Sequence, residues 1–146
     1  MPHLKFNTLE TIHIILVEDN EGDILLTTEV LDDMKLHIKL SIFKDGKEAI
    51  DFFDALHGVT IAHIDFILLD INLPKKNGHE VLGHINKNPS LRHIPVIMLT
   101  TSSSVKERAL CLANNAYGYI IKPLIASDIS ALINSLKINY PGYLLI

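Results

Sequence analysis

The sequence predicts an α/β domain of the doubly wound class, in which helices cover both faces of a parallel sheet. Five apolar segments of strand length alternate along the chain with five segments of helical period. This alternation predicts right-handed βαβ units. The length of 146 residues suits one such domain, and an apolar content of 48% is ample for its core.

The first half of the chain accounts for two strands and two helices. The run IHIILV at 12–17 is apolar and β-branched, which is typical of a buried strand. A helix over 22–34 is predicted because apolar residues recur on one face of it, namely Ile24, Leu25, Val30, Leu31 and Met34. Residues 36–43 alternate loosely as a second strand, and the turn signal Asp45-Gly46 leads into a helix that ends near residue 53.

The second half of the chain supplies three more strands and three more helices. The apolar run FILL at 66–69 is typical of a strand buried on both faces, and a short helix over 79–86 ends before Asn88-Pro89 because proline disfavours helix in the residue before it. The run PVIML at 95–99 predicts a fourth strand. The Thr/Ser cluster after it caps a helix over 104–113. A strand at 119–121 and a helix over 127–137 complete the pattern.

The same pattern divides the chain into a lead-in at 1–10, a domain at 11–139 and an apolar tail at 140–146. The net charge of −4 and the scattered basic residues argue against binding to nucleic acid phosphates. No signal peptide and no apolar run long enough to span a bilayer are evident, so we expect a cytoplasmic protein without a membrane partner. We also expect no DNA-binding or enzymatic output domain after the last helix.

The cysteine and histidine content adds little to these expectations. The single cysteine, Cys111, excludes an internal disulfide and fits a reducing compartment. Its helical surroundings predict a small buried hydrophobic residue. The eight histidines show no spacing typical of a zinc site.

Reactive polar residues follow four of the five predicted strands. Glu18 and Asp19 end the first strand, and Asp70, Thr100 and Lys122 end the third, fourth and fifth. Each alone is explained as a helix cap or a solvated charge, but in a parallel sheet all of them lie at the edge where ligands bind. Three carboxylates held together repel one another and need a cation, and oxygen ligands alone suit Mg²⁺. One carboxylate could then attack a phosphoryl group whose oxygens the lysine and the threonine hold.

Four segments carry a family resemblance. The segments ILVEDN, ILLDINLPKKNG, IPVIMLT and YGYIIKP, in this order and spacing, resemble the receiver domain of two-component response regulators over residues 12–137. The segments VEDNEGD and LRHIPVIMLTTS are similar to the single-domain regulators that partner cyanobacterial and bacterial phytochrome kinases. The resemblance implies a flavodoxin-like (βα)5 fold with strand order 2-1-3-4-5.

The resemblance also implies a role for each acidic residue. Asp70 would accept a phosphoryl group from a phosphohistidine of a sensor histidine kinase. Asp19 and Asp70 would bind Mg²⁺ directly together with the backbone carbonyl of Asn72, and Glu18 would act largely through water. Glu18 stands where many receiver domains have aspartate, although glutamate is usual in the VEDN subgroup.

The remaining site residues would read out the phosphoryl group. Thr100 and Lys122 would contact it, and Tyr119 would be an aromatic rotamer switch. The Lys122-Pro123 bond is expected to be cis. The output would be protein contact, including a possible homodimer through helix four, strand five and helix five.

Two other functions remain open from the residues. A Mg²⁺-dependent phosphohydrolase with an aspartyl-phosphate intermediate would use a similar Asp, Thr and Lys set, but such enzymes normally carry a second aspartate at the position of Asn72. A docking module that is never phosphorylated would need no Mg²⁺. The favoured interpretation is a phosphoacceptor signalling protein that is not an enzyme.

Overall fold

Ten alternating strands and helices make up the computed structural model, which describes residues 11–56, 63–136 and 138. The strands are β1 Ile12–Val17, β2 Ile38–Phe43, β3 Phe66–Asp70, β4 Val96–Thr100 and β5 Gly118–Ile121. The helices are α1 Glu21–Asp33, α2 Gly46–Ala55, α3 Gly78–Lys87, α4 Val105–Ala113 and α5 Ala126–Ser135. The predicted lead-in and apolar tail lie outside the described residues.

The five strands form one parallel sheet in the order β2-β1-β3-β4-β5, as predicted. Neighbouring strands end together, since Val17 pairs with Leu69, Asp70 with Leu99, and Thr100 with Ile121. Strand β2 lies on one side of β1, and β3, β4 and β5 follow one another on the other side. The direction in which successive strands are added to the sheet therefore reverses between β1 and β3. The carboxyl ends of the strands therefore form one edge, and its centre lies at the switch point where ligands bind in folds of this class.

Each face of the sheet carries its own core. Helices α2, α3 and α4 cover one face, where the buried side chains of Phe53, Leu82 and Cys111 join those of the odd-numbered positions of β1 and β3. Helices α1 and α5 cover the other face, where Leu31 and Ile133 join the even-numbered positions. Alternate side chains of a strand point to opposite faces, and both faces are covered. This explains the four consecutive apolar residues at 14–17 in β1 and at 66–69 in β3.

Helix α1 departs from its predicted apolar face at one position. Leu25, which was expected to face the core, is 58% exposed. Thr27 is buried in its place, together with Ile24 and Leu31. The periodicity identifies the helix correctly but misplaces the edge of its buried stripe, because the sheet covers a narrower arc of this helix than the apolar residues span.

The helix ends follow the local sequence. Asn20 caps α1 by accepting a hydrogen bond from the backbone N–H of Asp23 at 2.9 Å, and Ser104 caps α4. Asn115 adopts a positive φ of 67° just after α4, a conformation that asparagine tolerates better than most residues. Among the described residues, no helix has the length and apolar character needed to cross a membrane.

Cys111 lies on the inner side of α4, as expected for a small buried hydrophobic residue. Burial, and secondarily the Glu107 carboxylate, raises the pKa of its thiol. The thiol is therefore in its protonated form at neutral pH.

Gly78, at the start of α3, is required by the turn that follows β3. A Cβ atom there would lie 2.4 Å from the carbonyl oxygen of Asp70 and 2.7 Å from the Cα of Ile71. Gly83 in the same helix has nothing within 4 Å of such an atom. Gly83 is therefore a matched control for the substitution of Gly78 by alanine.

We expect Gly78→Ala to lower the free energy of unfolding by about 1–3 kcal/mol, because the backbone of Asp70 must move to accept the methyl group. Gly83→Ala should raise it by about 0.5–1 kcal/mol through the better helix propensity of alanine. Urea denaturation of both variants measures these changes. Equal effects of the same sign at the two positions would contradict this account of the turn.

Candidate functional site

The polar residues predicted at the strand ends converge at the carboxyl edge of the sheet. Asp70 is the last residue of β3 and Thr100 the last residue of β4, whereas Glu18 and Lys122 directly follow β1 and β5. Apolar strand residues on both sides hold these four positions in register. The convergence that the parallel sheet predicts is therefore present in the structure.

Three carboxylates form a cluster at this edge. Glu18 and Asp70 are buried, with 1% and 4% of their surfaces exposed, whereas Asp19 is exposed. One oxygen from each of the three lies within 4.8 Å of the others. The donors are all oxygens, one of them open to solvent, and this set fits a hard divalent cation that keeps part of its water shell.

The Lys122 ammonium lies among these carboxylates. Its Nζ atom is 2.6 Å from Oε1 of Glu18 and 3.4 Å from Oδ1 of Asp70, and the side chain is only 12% exposed. A buried carboxylate pair without such a cation would be strongly disfavoured. The ammonium therefore offsets much of the charge that the fold removes from water.

The same contacts shift the pKa values of both partners. Burial raises the pKa of the Glu18 carboxyl to about 7, the hydrogen bond from Lys122 opposes this shift, and the adjacent Asp70 adds to it. Burial alone would lower the pKa of Lys122, but its hydrogen bonds to Glu18 and Asp23 and the charge of Asp70 outweigh burial and raise it. Lys122 therefore remains a cation across the physiological range.

Asp23 is a site residue that the sequence analysis missed. Its Oδ2 atom accepts a hydrogen bond from the Lys122 Nζ at 3.0 Å, so the ammonium is shared between Asp23 and the buried pair. Asp23 lies in the first turn of α1, where a carboxylate is ordinary because it favours the helix N-terminus. The available signal was its place in the segment VEDNEGD, one helical turn after Asp19.

Ser102 connects Thr100 to Tyr119. The backbone N–H of Ser102 donates to Oγ1 of Thr100 at 3.0 Å, and the Tyr119 hydroxyl donates to the Ser102 carbonyl. The Arg108 guanidinium lies over the Tyr119 ring, 5.1 Å from its centroid. The hydroxyl at the end of β4 is therefore linked to a half-buried aromatic ring on β5 through one residue.

The turn after β3 brings Asn72 back to Asp70. The backbone N–H of Asn72 donates to Oδ1 of Asp70 at 3.3 Å, and the Asn72 side chain is exposed. The Lys122-Pro123 bond is cis, as the resemblance implied. The structure therefore brings together Glu18, Asp70 and Lys122, with Asp19 and Asn72 beside them.

The sequence and the fold are similar to those of known proteins. Residues 14–134 match the family described as "Response regulator receiver domain". The chain is 34% identical to the probable methanogenesis regulatory protein FilR2 of Methanothrix harundinacea, over 89% of this chain and 84% of that protein. It is also 34% identical to the response regulator Rcp1 of Synechocystis sp. (strain ATCC 27184 / PCC 6803 / Kazusa), over 85% of each protein.

Solved structures of similar proteins share the architecture. The bacteriophytochrome response regulator RtBRR has a TM-score of 0.77 at 31% identity, over 91% of this chain and 82% of that one. The phosphorylated cyanobacterial phytochrome response regulator RcpA has a TM-score of 0.69 at 35% identity, over 87% and 89%. The Mn²⁺-bound form of Rcp1 has a TM-score of 0.69 at 33% identity, over 92% and 99%.

We expect Glu18 to make the metal-free protein less stable as the pH rises. Its pKa is about 7 in the folded state against an ordinary value of 4.5, so the folded state binds the extra proton between these values. Stability falls with pH wherever the folded state binds more protons than the unfolded state. The stabilising contribution of Glu18 is therefore complete below pH 4.5 and is lost as the pH rises through about 7.

Urea denaturation in EDTA, on both sides of this pH window, measures the effect as the difference between the wild type and Glu18→Gln. Glu29→Gln, on the exposed side of α1, is the matched control and should leave the pH dependence unchanged. A Glu18→Gln variant with the wild-type pH dependence would show that Glu18 does not bind a proton on folding.

Proposed function

The chain belongs to the response regulator receiver domain family, and from this premise we propose that it is a phosphorylation-activated switch of a two-component signalling system with Asp70 as its phosphoacceptor. The position of Asp70 carries the proposal. It is a buried carboxylate at the end of a central strand, with a lysine ammonium 3.4 Å from its Oδ1 atom. A carboxylate that a buried strand holds in one place, beside a cation, suits a nucleophile.

In the proposed reaction, an oxygen of the Asp70 carboxylate attacks the phosphorus of a phosphohistidine on a sensor kinase. The new phosphorus–oxygen bond forms as the phosphorus–nitrogen bond breaks, and the leaving imidazole takes a proton from solvent. The ammonium of Lys122 and the hydroxyl of Thr100 lie at the same edge and would hold the phosphoryl oxygens as charge develops on them. Positioning and electrostatic stabilisation provide most of the catalysis in such transfers.

We assign Mg²⁺ to the carboxylate cluster. Asp19 and Asp70 would bind the ion directly with the backbone carbonyl of Asn72, and Glu18 would act largely through water. The all-oxygen donor set within 4.8 Å supports the assignment, as does the Mn²⁺-bound form of the similar Rcp1. When bound, the ion would supply positive charge that offsets the carboxylates and the phosphoryl oxygens beside Asp70.

The readout would begin at Thr100. A phosphoryl group on Asp70 adds about −1.5 to −2 of charge and three acceptor oxygens, to which the Thr100 hydroxyl would donate a hydrogen bond. Moving that hydroxyl disturbs its bond to the backbone of Ser102, and Ser102 also accepts the hydrogen bond from Tyr119. Tyr119 would then turn inward and shift an existing equilibrium between two states of the α4–β5–α5 surface.

The proposed partner is a sensor histidine kinase of phytochrome type. The phytochrome regulators RtBRR and RcpA, at 31% and 35% identity, support this choice. We place the protein in the cytoplasm, without a nucleic acid or membrane partner. Its chemistry would be limited to its own phosphorylation and dephosphorylation, since the exposed Asn72 stands where phosphohydrolases carry a general acid.

We also propose that the α4–β5–α5 surface forms a homodimer. Large apolar side chains are exposed on it, including Val105 at 80%, Ile125 at 53% and Leu112 at 51%. Exposed apolar residues on neighbouring elements often mark a protein interface when they form one surface.

We expect Asp70→Asn to lose covalent labelling by a small phosphodonor such as acetyl phosphate, because the amide is not a nucleophile toward phosphorus. Labelling of the wild type should require Mg²⁺. Phosphate-affinity electrophoresis measures the labelled fraction. Asp32→Asn, an exposed carboxylate on α1, is the matched control and should be labelled like the wild type.

The same assay separates the alternative functions. Equal labelling of the wild type and Asp70→Asn would rule out Asp70 as the phosphoacceptor. Multiple turnover of a phosphate monoester would favour the phosphohydrolase. Absence of both labelling and Mg²⁺ binding would favour an unphosphorylated docking module.

We expect Val105→Asp to shift the protein toward the monomer, because the change places a charge within the proposed apolar contact. Sedimentation at several concentrations, with and without a phosphoryl mimic, measures the association. Leu25→Asp, which adds the same charge at a site 58% exposed on α1, is the control. A wild type that stays monomeric under both conditions would refute the dimer.

A further inference from the structure

A second cluster of possible metal ligands lies between α3 and α4, outside the proposed phosphoacceptor site. It consists of His79 in the first turn of α3 together with Glu107 and Cys111 on α4. One ligand atom from each of these residues lies within 4.8 Å of the other two. The spacing of the histidines along the chain gives no sign of the cluster, because His79 and Glu107 are 28 residues apart.

The two helices fix the positions of these side chains. Glu107 and Cys111 are four residues apart on α4 and therefore lie on one side of the helix. The Nε2 atom of His79 is 2.7 Å from Oε2 of Glu107, which ties the imidazole to α4. At the other end of the helix pair, the Asn86 side chain donates a hydrogen bond to the Asn114 carbonyl.

The imidazole of His79 has an unused buried atom. Its Nδ1 atom is buried and has no hydrogen-bond partner in the part of the chain that the structure describes. The Glu107 carboxylate can only accept, so Nε2 carries the proton of the neutral ring and Nδ1 is left with an unpaired lone pair. Buried polar atoms without partners are uncommon in folded proteins. The ring therefore lies beside a carboxylate and a thiol with one nitrogen unsatisfied.

We propose that His79, Glu107 and Cys111 bind a thiophilic divalent transition metal ion of the Zn²⁺ class. The set combines nitrogen, oxygen and sulfur donors, which Zn²⁺ accepts and Mg²⁺ does not favour. Metal–ligand bonds of about 2.0–2.3 Å in a tetrahedral site place donor atoms about 3.3–3.6 Å apart. The donors of the cluster lie within 4.8 Å of one another. An ion bound among them would replace the hydrogen bond that joins Nε2 of His79 to Glu107, and the ring proton would then lie on Nδ1.

Binding has defined consequences for the protein. The ion displaces the proton of the Cys111 thiol, and the three protein ligands leave a fourth position for water or another donor. Because the ligands come from both helices, the ion ties α3 to α4 and stabilises the folded state by an amount that rises with the logarithm of the ion concentration once the site is filled. This cluster favours an ion of the Zn²⁺ class, whereas the carboxylate cluster favours Mg²⁺. The two sites can therefore be distinguished by the metal ion that is added.

The test uses Co²⁺ as a spectroscopic probe of the full chain, with excess Mg²⁺ present. Cobalt bound to a thiolate gives a charge-transfer absorption that oxygen and nitrogen ligands alone do not give. Cys111 is the only cysteine in the sequence, so this absorption reports on this site alone. We expect the wild type to show the band at one equivalent of Co²⁺, and added Zn²⁺ to abolish it.

Substitutions test each ligand. Cys111→Ser should abolish the band, and His79→Gln and Glu107→Gln should weaken Co²⁺ binding by at least about tenfold. His84→Gln is the matched control, since His84 also lies on α3 with its Nε2 atom 2.7 Å from a carboxylate, that of Asp54. Asp70→Asn should leave the band unchanged, which separates this site from the phosphoacceptor.

His79→Gln also covers the case in which Cys111→Ser does not fold, because His79 is partly exposed and its replacement keeps the thiol. Urea denaturation verifies that each variant is folded. A wild type without the charge-transfer band, or a band that His79→Gln leaves unchanged, would overturn the proposal. The cluster would then be an interhelical ion pair beside a core cysteine.

Discussion

The ion pairs of Lys122 with Glu18 and Asp70 are the interaction on which the rest of the site depends. The sheet removes both carboxylates from water, and each lies within 3.4 Å of the Lys122 Nζ atom. Burying two like charges without a partner would cost several kcal/mol for each ion, even after the surroundings relax. The ammonium therefore makes this acidic edge compatible with an apolar core below it.

Such a network is weak support for stability, because hydrophobic residues of the same volume often stabilise a protein as well or better. The network matters for function because its charged groups can exchange partners. A cation or a phosphoryl group that enters the cluster changes the partners available to Lys122, and Asp23 offers the ammonium a further carboxylate at 3.0 Å. In the unphosphorylated protein, the Lys122 ammonium therefore lies beside Asp70 and is shared with other carboxylates.

The sequence predicts the features that depend on strand periodicity and parallel topology. Strand β1 has its predicted bounds because five of its six residues are apolar, four of them in a row. The convergence of Asp70 with Lys122 follows from the common edge of parallel strands. Side-chain contacts made by the helices were not predictable from periodicity and topology. Asp23 resembles any acidic residue in a first helical turn, and the proximity of His79 to Cys111 depends on how two helices pack.

Borohydride reduction of the phosphorylated protein, followed by peptide mass spectrometry, tests the central claim most directly. Reduction converts an aspartyl phosphate to homoserine and so marks the residue that carried the phosphoryl group. The account predicts this product at position 70, with Glu18 and Asp19 unmodified. The reduced product at either of those neighbours, or no reduced residue in a fully phosphorylated sample, would contradict the assignment of Asp70.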